Sequence, residues 1–167
     1  PNNTIIYTSN IVRRSLKKYK ISNPVKILSE SGVSVFDLNI KALPTSYPYY
    51  SSTFSLLIED ADGNKLFHEG HRVNFKYLSK KNIKADVCIL TAEESKLFGL
   101  IQLGMNYKNT IKASKMLESN HLFITGNKPN QTKGFIGNFI KTRTYDIKQL
   151  SKDITVYSDE GDSYSFN

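Results

Sequence analysis

The chain has 167 residues, an apolar fraction of 39 % and a formal net charge of +8. That length supports one hydrophobic core rather than two, so residues 1–167 are read as a single domain, and 10 Tyr and 9 Phe spread along it argue against global disorder. No stretch reaches the roughly 20 consecutive apolar residues of a membrane span, and Pro1-Asn2-Asn3-Thr4 lacks the pattern of a secretory signal.

Thr4–Thr8 is rich in β-prone residues and predicts a short strand. Ser9 or Asn10 can cap a helix from Ile11 to about Tyr19, with Ile11, Val12, Leu16 and Tyr19 as its apolar stripe. Val25–Leu28 is a second strand, and Ser31-Gly32 a turn. Val33–Leu43 alternates like a strand, with a local break at Asp37. Pro44–Pro48 is a loop, because the residues before both prolines disfavour helix. Thr53–Glu59, the turn Asp60–Asn64 and Lys65–His68 form a hairpin. A short helix over Asn74–Lys81 precedes the apolar strand Ala85–Thr91. A longer helix over Asn106–Ser119 leads into a strand at His121–Thr125. Gly134–Asn138 reads as a turn, Ile147–Leu150 as a helix remnant, and Ile154–Tyr157 with Tyr164–Phe166 as a terminal hairpin. Strands alternating with helices, plus a central hairpin, predict an α/β domain with a mixed sheet.

The single cysteine, Cys88, lies in the apolar run Val87–Leu90 and can form no internal disulfide. It reads as a structural thiol in a reducing compartment, so a cytoplasmic location is expected, and the lack of a spanning stretch adds the expectation of no membrane partner. The positive charge is clustered. Arg13, Arg14, Lys17, Lys18 and Lys20 meet no acid before Glu30, and Lys76, Lys80, Lys81 and Lys84 form a second group. Helical spacing makes both groups solvated helix faces, with nucleic acid as the alternative partner of the first.

The order of elements resembles the second half of the metallo-β-lactamase fold, especially its sugar-phosphate lactonase-like and metal-dependent hydrolase branches. The residues that carry the likeness run from Ile5-Ile6-Tyr7 through Val25–Leu28, Val33–Leu43 with Pro44, and the hairpin around Asp62-Gly63-Asn64. They continue through Leu66–His71, Ala85–Leu90 and Phe123–Gly126. The resemblance implies an αββα sandwich, in a half or truncated version with a mixed sheet. It also implies a catalytic metal centre, but the family's histidine- and aspartate-rich loop has no counterpart here, and the chain has only 3 His. The family's histidine after the leucine–proline segment is matched by Tyr47, its bridging aspartate after the hairpin by His71, and its last histidine by Gly126. No inherited metal site is therefore expected, and no cofactor.

The residues lead to the same expectation without the resemblance. A catalytic zinc needs three protein ligands and an open position. His68, Glu69 and His71, with Asp60 and Asp62 across the hairpin, offer such a set only if a loop folds back. The polar loop Gly126–Gly134 lies just past a strand end, where α/β folds bind ligands, but it lacks the glycine and lysine pattern of a phosphate loop. A candidate pocket therefore comprises Tyr47, Tyr49, His68, His71, Gly126, Asn127 and Lys128.

Three functions are open at this point. One is a non-catalytic interaction or regulatory domain derived from a metal-dependent hydrolase, associating with a second copy or with a separate amino-terminal half-domain. Another is an active hydrolase of phosphodiester or lactone type whose ligands come from a missing segment or partner chain. The third is nucleic-acid binding through Arg13, Arg14, Lys17 and Lys18.

Overall fold

The computed structural model describes residues 4–50, 53–125, 135–143, 154–159 and 161–166. A βαβ unit opens it: β1 (Ile6–Thr8) pairs in parallel with β2 (Val25–Ile27) across helix α1 (Asn10–Lys18). Ser9 caps α1, its hydroxyl accepting the Val12 N–H at 3.3 Å. Val33–Leu43 does not make one strand. A positive φ at Phe36 (52°) folds this segment into the hairpin β3 (Val33–Val35) and β4 (Leu38–Pro44), so the expected break is a reversal of direction.

Among the described residues the main sheet has seven strands in the order β12-β10-β7-β6-β5-β4-β3. β5 (Phe54–Glu59) and β6 (Lys65–His68) form the expected hairpin, and β7 (Val87–Thr91) and β10 (His121–Thr125) add in parallel. Helix α2 (Phe75–Lys81) connects β6 to β7, and α3 (Tyr107–Leu117) precedes β10. Asn74 and Asn106 cap these helices, each side-chain oxygen accepting a backbone N–H three residues on. Both helices end on a left-handed residue, Asn82 and Glu118. The last strand, β12 (Thr155–Tyr157), pairs in parallel with β10. The expected terminal hairpin is thereby corrected: 164–166 are not a strand. Instead Tyr164 lies against His121 with ring centroids 3.9 Å apart. The helix remnant at 147–150 falls outside the described residues.

The register divides the seven strands into two faces. Leu43, Leu57, Phe67, Cys88, Leu90, Leu122 and Ile124 share one face and, with Leu78, Ala113 and Leu117 of the helices, form the core. Burial pushes the Cys88 thiol up to about 11, which makes it an inert packing group. The other face carries Ile40, Leu56, Ile58, Leu66, Ile89 and Phe123, each half-buried, together with Ala42 and Val87, which are buried. The α2 and α3 residues of the core cluster pack on the first face. A second, three-stranded antiparallel sheet, in the order β11-β8-β9, joins β8 (Glu94–Leu97) and β9 (Ile101–Gln102), which lie between β7 and α3, to β11 (Ile140–Arg143), which follows β10 in the chain. A 3-10 turn (Ile136–Phe139) precedes β11, where the sequence predicts a turn.

Candidate functional site

The carboxyl ends of β6 and β7 are neighbours, because the two strands are parallel. The segments leaving these two ends therefore converge on one spot. After β6 come Glu69, Gly70 and His71, and after β7 come Ala92 and Glu93, next to its last residue Thr91. The loop after β4 closes the spot from the side. Arg72 donates to Tyr47 O at 2.8 Å and to Gln102 O at 3.2 Å, and Ser46 Oγ donates to Val73 O at 2.9 Å. Thr53 Oγ1 donates to Gly70 O at 2.8 Å. These bonds tie the loop after β4 to residues 70–73 on several sides.

Between them lies a cleft of about 250 Å³. Tyr49 and His71 form one wall, stacked with centroids 4.8 Å apart and planes 30° apart. Thr91, Glu93 and Ser95 provide polar groups, and Leu103 and Ile140 an apolar side. Ser95 Oγ donates to Glu93 Oε1 at 2.9 Å. His71 has φ of 81°, a conformation that side chains rarely adopt and that its packing against Tyr49 must hold. Burial raises the Tyr49 hydroxyl above its ordinary pKa, and the positive charge of Arg72 offsets part of the rise.

Beneath the cleft sits Glu69. It is 4 % exposed, and the Thr91 hydroxyl donates to its Oε1, while Oε2 has no hydrogen-bond partner. Burial pushes its pKa up to about 8, the Thr91 hydrogen bonds opposing only part of that shift. The carboxyl is therefore protonated at neutral pH.

The structure brings Tyr49 and His71 together in one wall of the cleft, which neither Tyr47 nor His68 lines. Tyr47 points outward, 53 % exposed. His68 is on the opposite, open face of the sheet, where loss of surrounding water and then the charge of His71 lower its pKa. Gly126, Asn127 and Lys128 lie outside the described residues. Asp60, weighed as a metal ligand, closes its own turn instead, accepting the N–H groups of Asp62 and Asn64 at the far end of the hairpin. Thr91, Glu93 and Ser95 escape sequence reasoning because no motif links them to His71; only the parallel pairing of β6 and β7 does.

Arg13, Arg14, Lys17 and Lys18 occupy one side of α1, with no acidic residue in its first turn and no buried residue in the helix. Ile11 and Val12, on its other side, are 41 % and 39 % exposed.

No family profile and no curated protein matches the sequence. Solved structures do match the fold. An isothiocyanate hydrolase from Delia radicum gut bacteria aligns with a TM-score of 0.67 and 15 % identity, over 99 % of this chain and 68 % of that one. Igni18, a metallo hydrolase from Ignicoccus hospitalis, aligns at 0.62 and 13 %, over 96 % and 69 %. The metallo-β-lactamase fold protein YhfI from Bacillus subtilis aligns at 0.57 and 14 %, over 74 % of this chain and 52 % of its own. The chain thus has a metallo-β-lactamase fold. It spans about half the length of YhfI and about two-thirds of the other two.

Such a fold implies a metal centre, and the donor set here does not fit one. Among the described residues, no three His, Cys, Asp or Glu side chains gather closely enough to hold an ion. Glu69 contributes one unpartnered oxygen, and a catalytic cation site needs at least three protein donors. Among the described residues, no helix is long and apolar enough to cross a membrane.

Proposed function

We propose that this chain is a non-catalytic interaction module on a hydrolase-derived fold, and that a second copy covers its open sheet face. The observation that carries this reading is the row of half-buried Ile40, Leu56, Ile58, Leu66, Ile89 and Phe123 opposite the helix-covered core. A sheet buries both faces in stable layered architectures. Covering several hundred Å² of apolar surface, at about 25 cal/mol per Å², contributes on the order of 10 kcal/mol before the costs of association. The absence, among the described residues, of three metal-ligating side chains at one spot supports the non-catalytic part of the reading, because metal-dependent hydrolysis needs an ion held by several protein donors.

Sedimentation of the full chain at micromolar concentration tests it. A dimer is expected, and Leu66→Lys, which places a charge on the open face, converts it to monomer. A single soluble species near 19 kDa for the unaltered chain would defeat the proposal. A second reading, a hydrolase completed by an amino-terminal partner chain, draws on the unpartnered Glu69 Oε2. It requires a 1:1 complex with another protein and about one or more metal ions per chain in elemental analysis of that complex.

A further inference from the structure

The turn joining β8 to β9 breaks a local rule. The Leu100 N–H donates to Leu97 O at 3.1 Å, closing a turn whose two central residues, Phe98 and Gly99, have φ of 53° and 70°. Turns with two such residues favour Asn-Gly, because a bulky side chain at positive φ crowds the backbone. Here the first position holds a phenylalanine, and burial does not compensate it. Phe98 is 61 % exposed and Leu100 86 %. Phe135 and Phe139, at 80 % and 38 %, extend the cluster, with Phe98–Phe139 centroids 4.9 Å apart and Phe135–Phe139 5.4 Å apart. Phe98 and Leu100 of this turn, with Phe139 and Phe135 brought beside Phe98 from the segment before β11, put four exposed large apolar side chains at one end of the small sheet, one of them in a strained backbone, and so mark a surface made for contact.

The charges behind the tip indicate what it contacts. Lys96 on β8 lies directly opposite Lys141 on β11. Like charges in such a pair are destabilising in water. Glu94 holds Lys96 at 2.8 Å, and Lys141 is exposed with no ion pair among the described residues. Each lysine is two residues behind a tip phenylalanine, about 7 Å at the rise of a strand. Glu94 and Arg143 form the next level back.

We propose that this tip inserts into the surface of a bilayer containing anionic phospholipids, its phenylalanines and Leu100 among the upper acyl chains and Lys96 and Lys141 at the phosphates. Interfacial apolar groups sit about 5–10 Å deep, and cations behind them meet the headgroup charge. The order of levels, apolar tip and then paired lysines, fits a planar anionic boundary. A protein pocket would select the tip by its shape and would give no reason for two lysines to face each other. The inference stands apart from the open sheet face. It concerns a peripheral insertion, which needs no spanning segment, and none of the described helices is one.

Flotation of the full chain with vesicles of phosphatidylcholine, with and without about one-third phosphatidylserine, tests it. Binding is expected to rise several-fold with the anionic lipid and to fall with added salt. Phe98→Asn supplies the Asn-Gly pair that the turn favours, so its thermal midpoint stays level or rises while vesicle affinity drops about tenfold or more. Lys141→Glu weakens binding several-fold with the apolar tip intact. Unchanged binding of Phe98→Asn would overturn the proposal, since the cations of α1 would then account for the attraction. Absence of binding to either vesicle would overturn it as well. So would a dimer that Phe98→Asn dissociates without lipid, which would assign the tip to a second copy.

Discussion

Replacing Glu69 by glutamine is expected to raise stability most at alkaline pH. The carboxyl has a folded pKa of about 8 against 4.5 as the ordinary value. A raised folded pKa means that the folded chain holds the proton more tightly than the unfolded one. Its contribution is therefore fully present below about pH 4.5, declines as pH rises, and is lost once pH passes about 8. At 1.36 kcal/mol per pKa unit the loss approaches about 5 kcal/mol, a large share of the 5–15 kcal/mol that typically holds a domain folded. Burial leaves little solvent to screen it, since Glu69 is 4 % exposed. Glutamine keeps the shape and still accepts from Thr91, and its amide never ionises. Urea titrations of both proteins from pH 5 to pH 9 should show the gap in unfolding free energy widening toward pH 8 and then levelling. A gap that stays constant across that range would show that Glu69 does not titrate as a buried acid.

Gly70→Ala is expected to be among the most damaging single-methyl additions in the chain. A Cβ at Gly70 would stand 2.0 Å from the Phe54 carbonyl oxygen and 2.6 Å from its carbon, and both are backbone atoms of the neighbouring strand. The strand cannot easily yield, because Thr53 and Ser55 on either side of Phe54 bond the Gly70 carbonyl and N–H. Overpacking of this kind costs about 1–3 kcal/mol and more where backbone must move; a loss of about 3 kcal/mol is the expected result. Gly63→Ala is the control. Its Cβ meets open space, and only its φ of 86° opposes the change, at a cost of about 1 kcal/mol. Equal losses for the two variants, measured by urea denaturation, would mean that conformational freedom rather than close approach explains Gly70.

Much of the main sheet was readable because its signals are local. The Asp60–Asn64 turn, the cap at Ser9, the helix starts at Asn74 and Asn106, and the apolar run ending at Thr91 each announce themselves within a few residues. The small sheet was not readable. Its strand β8 is Glu-Ser-Lys-Leu, polar enough to pass for loop, and its partner β11 lies far downstream, beyond α3 and β10. The same distance hides the cleft. Tyr49 and His71 stand out as unusual residues in a sequence, but Glu93 and Ser95 gain meaning only where β7 ends beside β6. Glu69 was visible as one acid between two histidines. The sequence could not show that His68 turns to the face opposite the core while Glu69, just past the strand end, is buried against Thr91.

The strand order also sets a sequence in time. From β3 to β6 every neighbour is antiparallel and adjacent along the chain, whereas β6, β7, β10 and β12 join in parallel. In register, Leu66 meets Val87, Val87 meets His121 and His121 meets Thr155, steps that enclose a helix in each of the first two cases. Short loops close readily and long ones carry an entropy cost that only later contacts repay. The meander from Val33 to His68 is thus the part of the polypeptide that gains protection from hydrogen exchange first, and the strip formed by β10 and β12 the last. During that interval β6 presents a bare edge as well as a bare face, and the chain is then most vulnerable to pairing with the wrong strand.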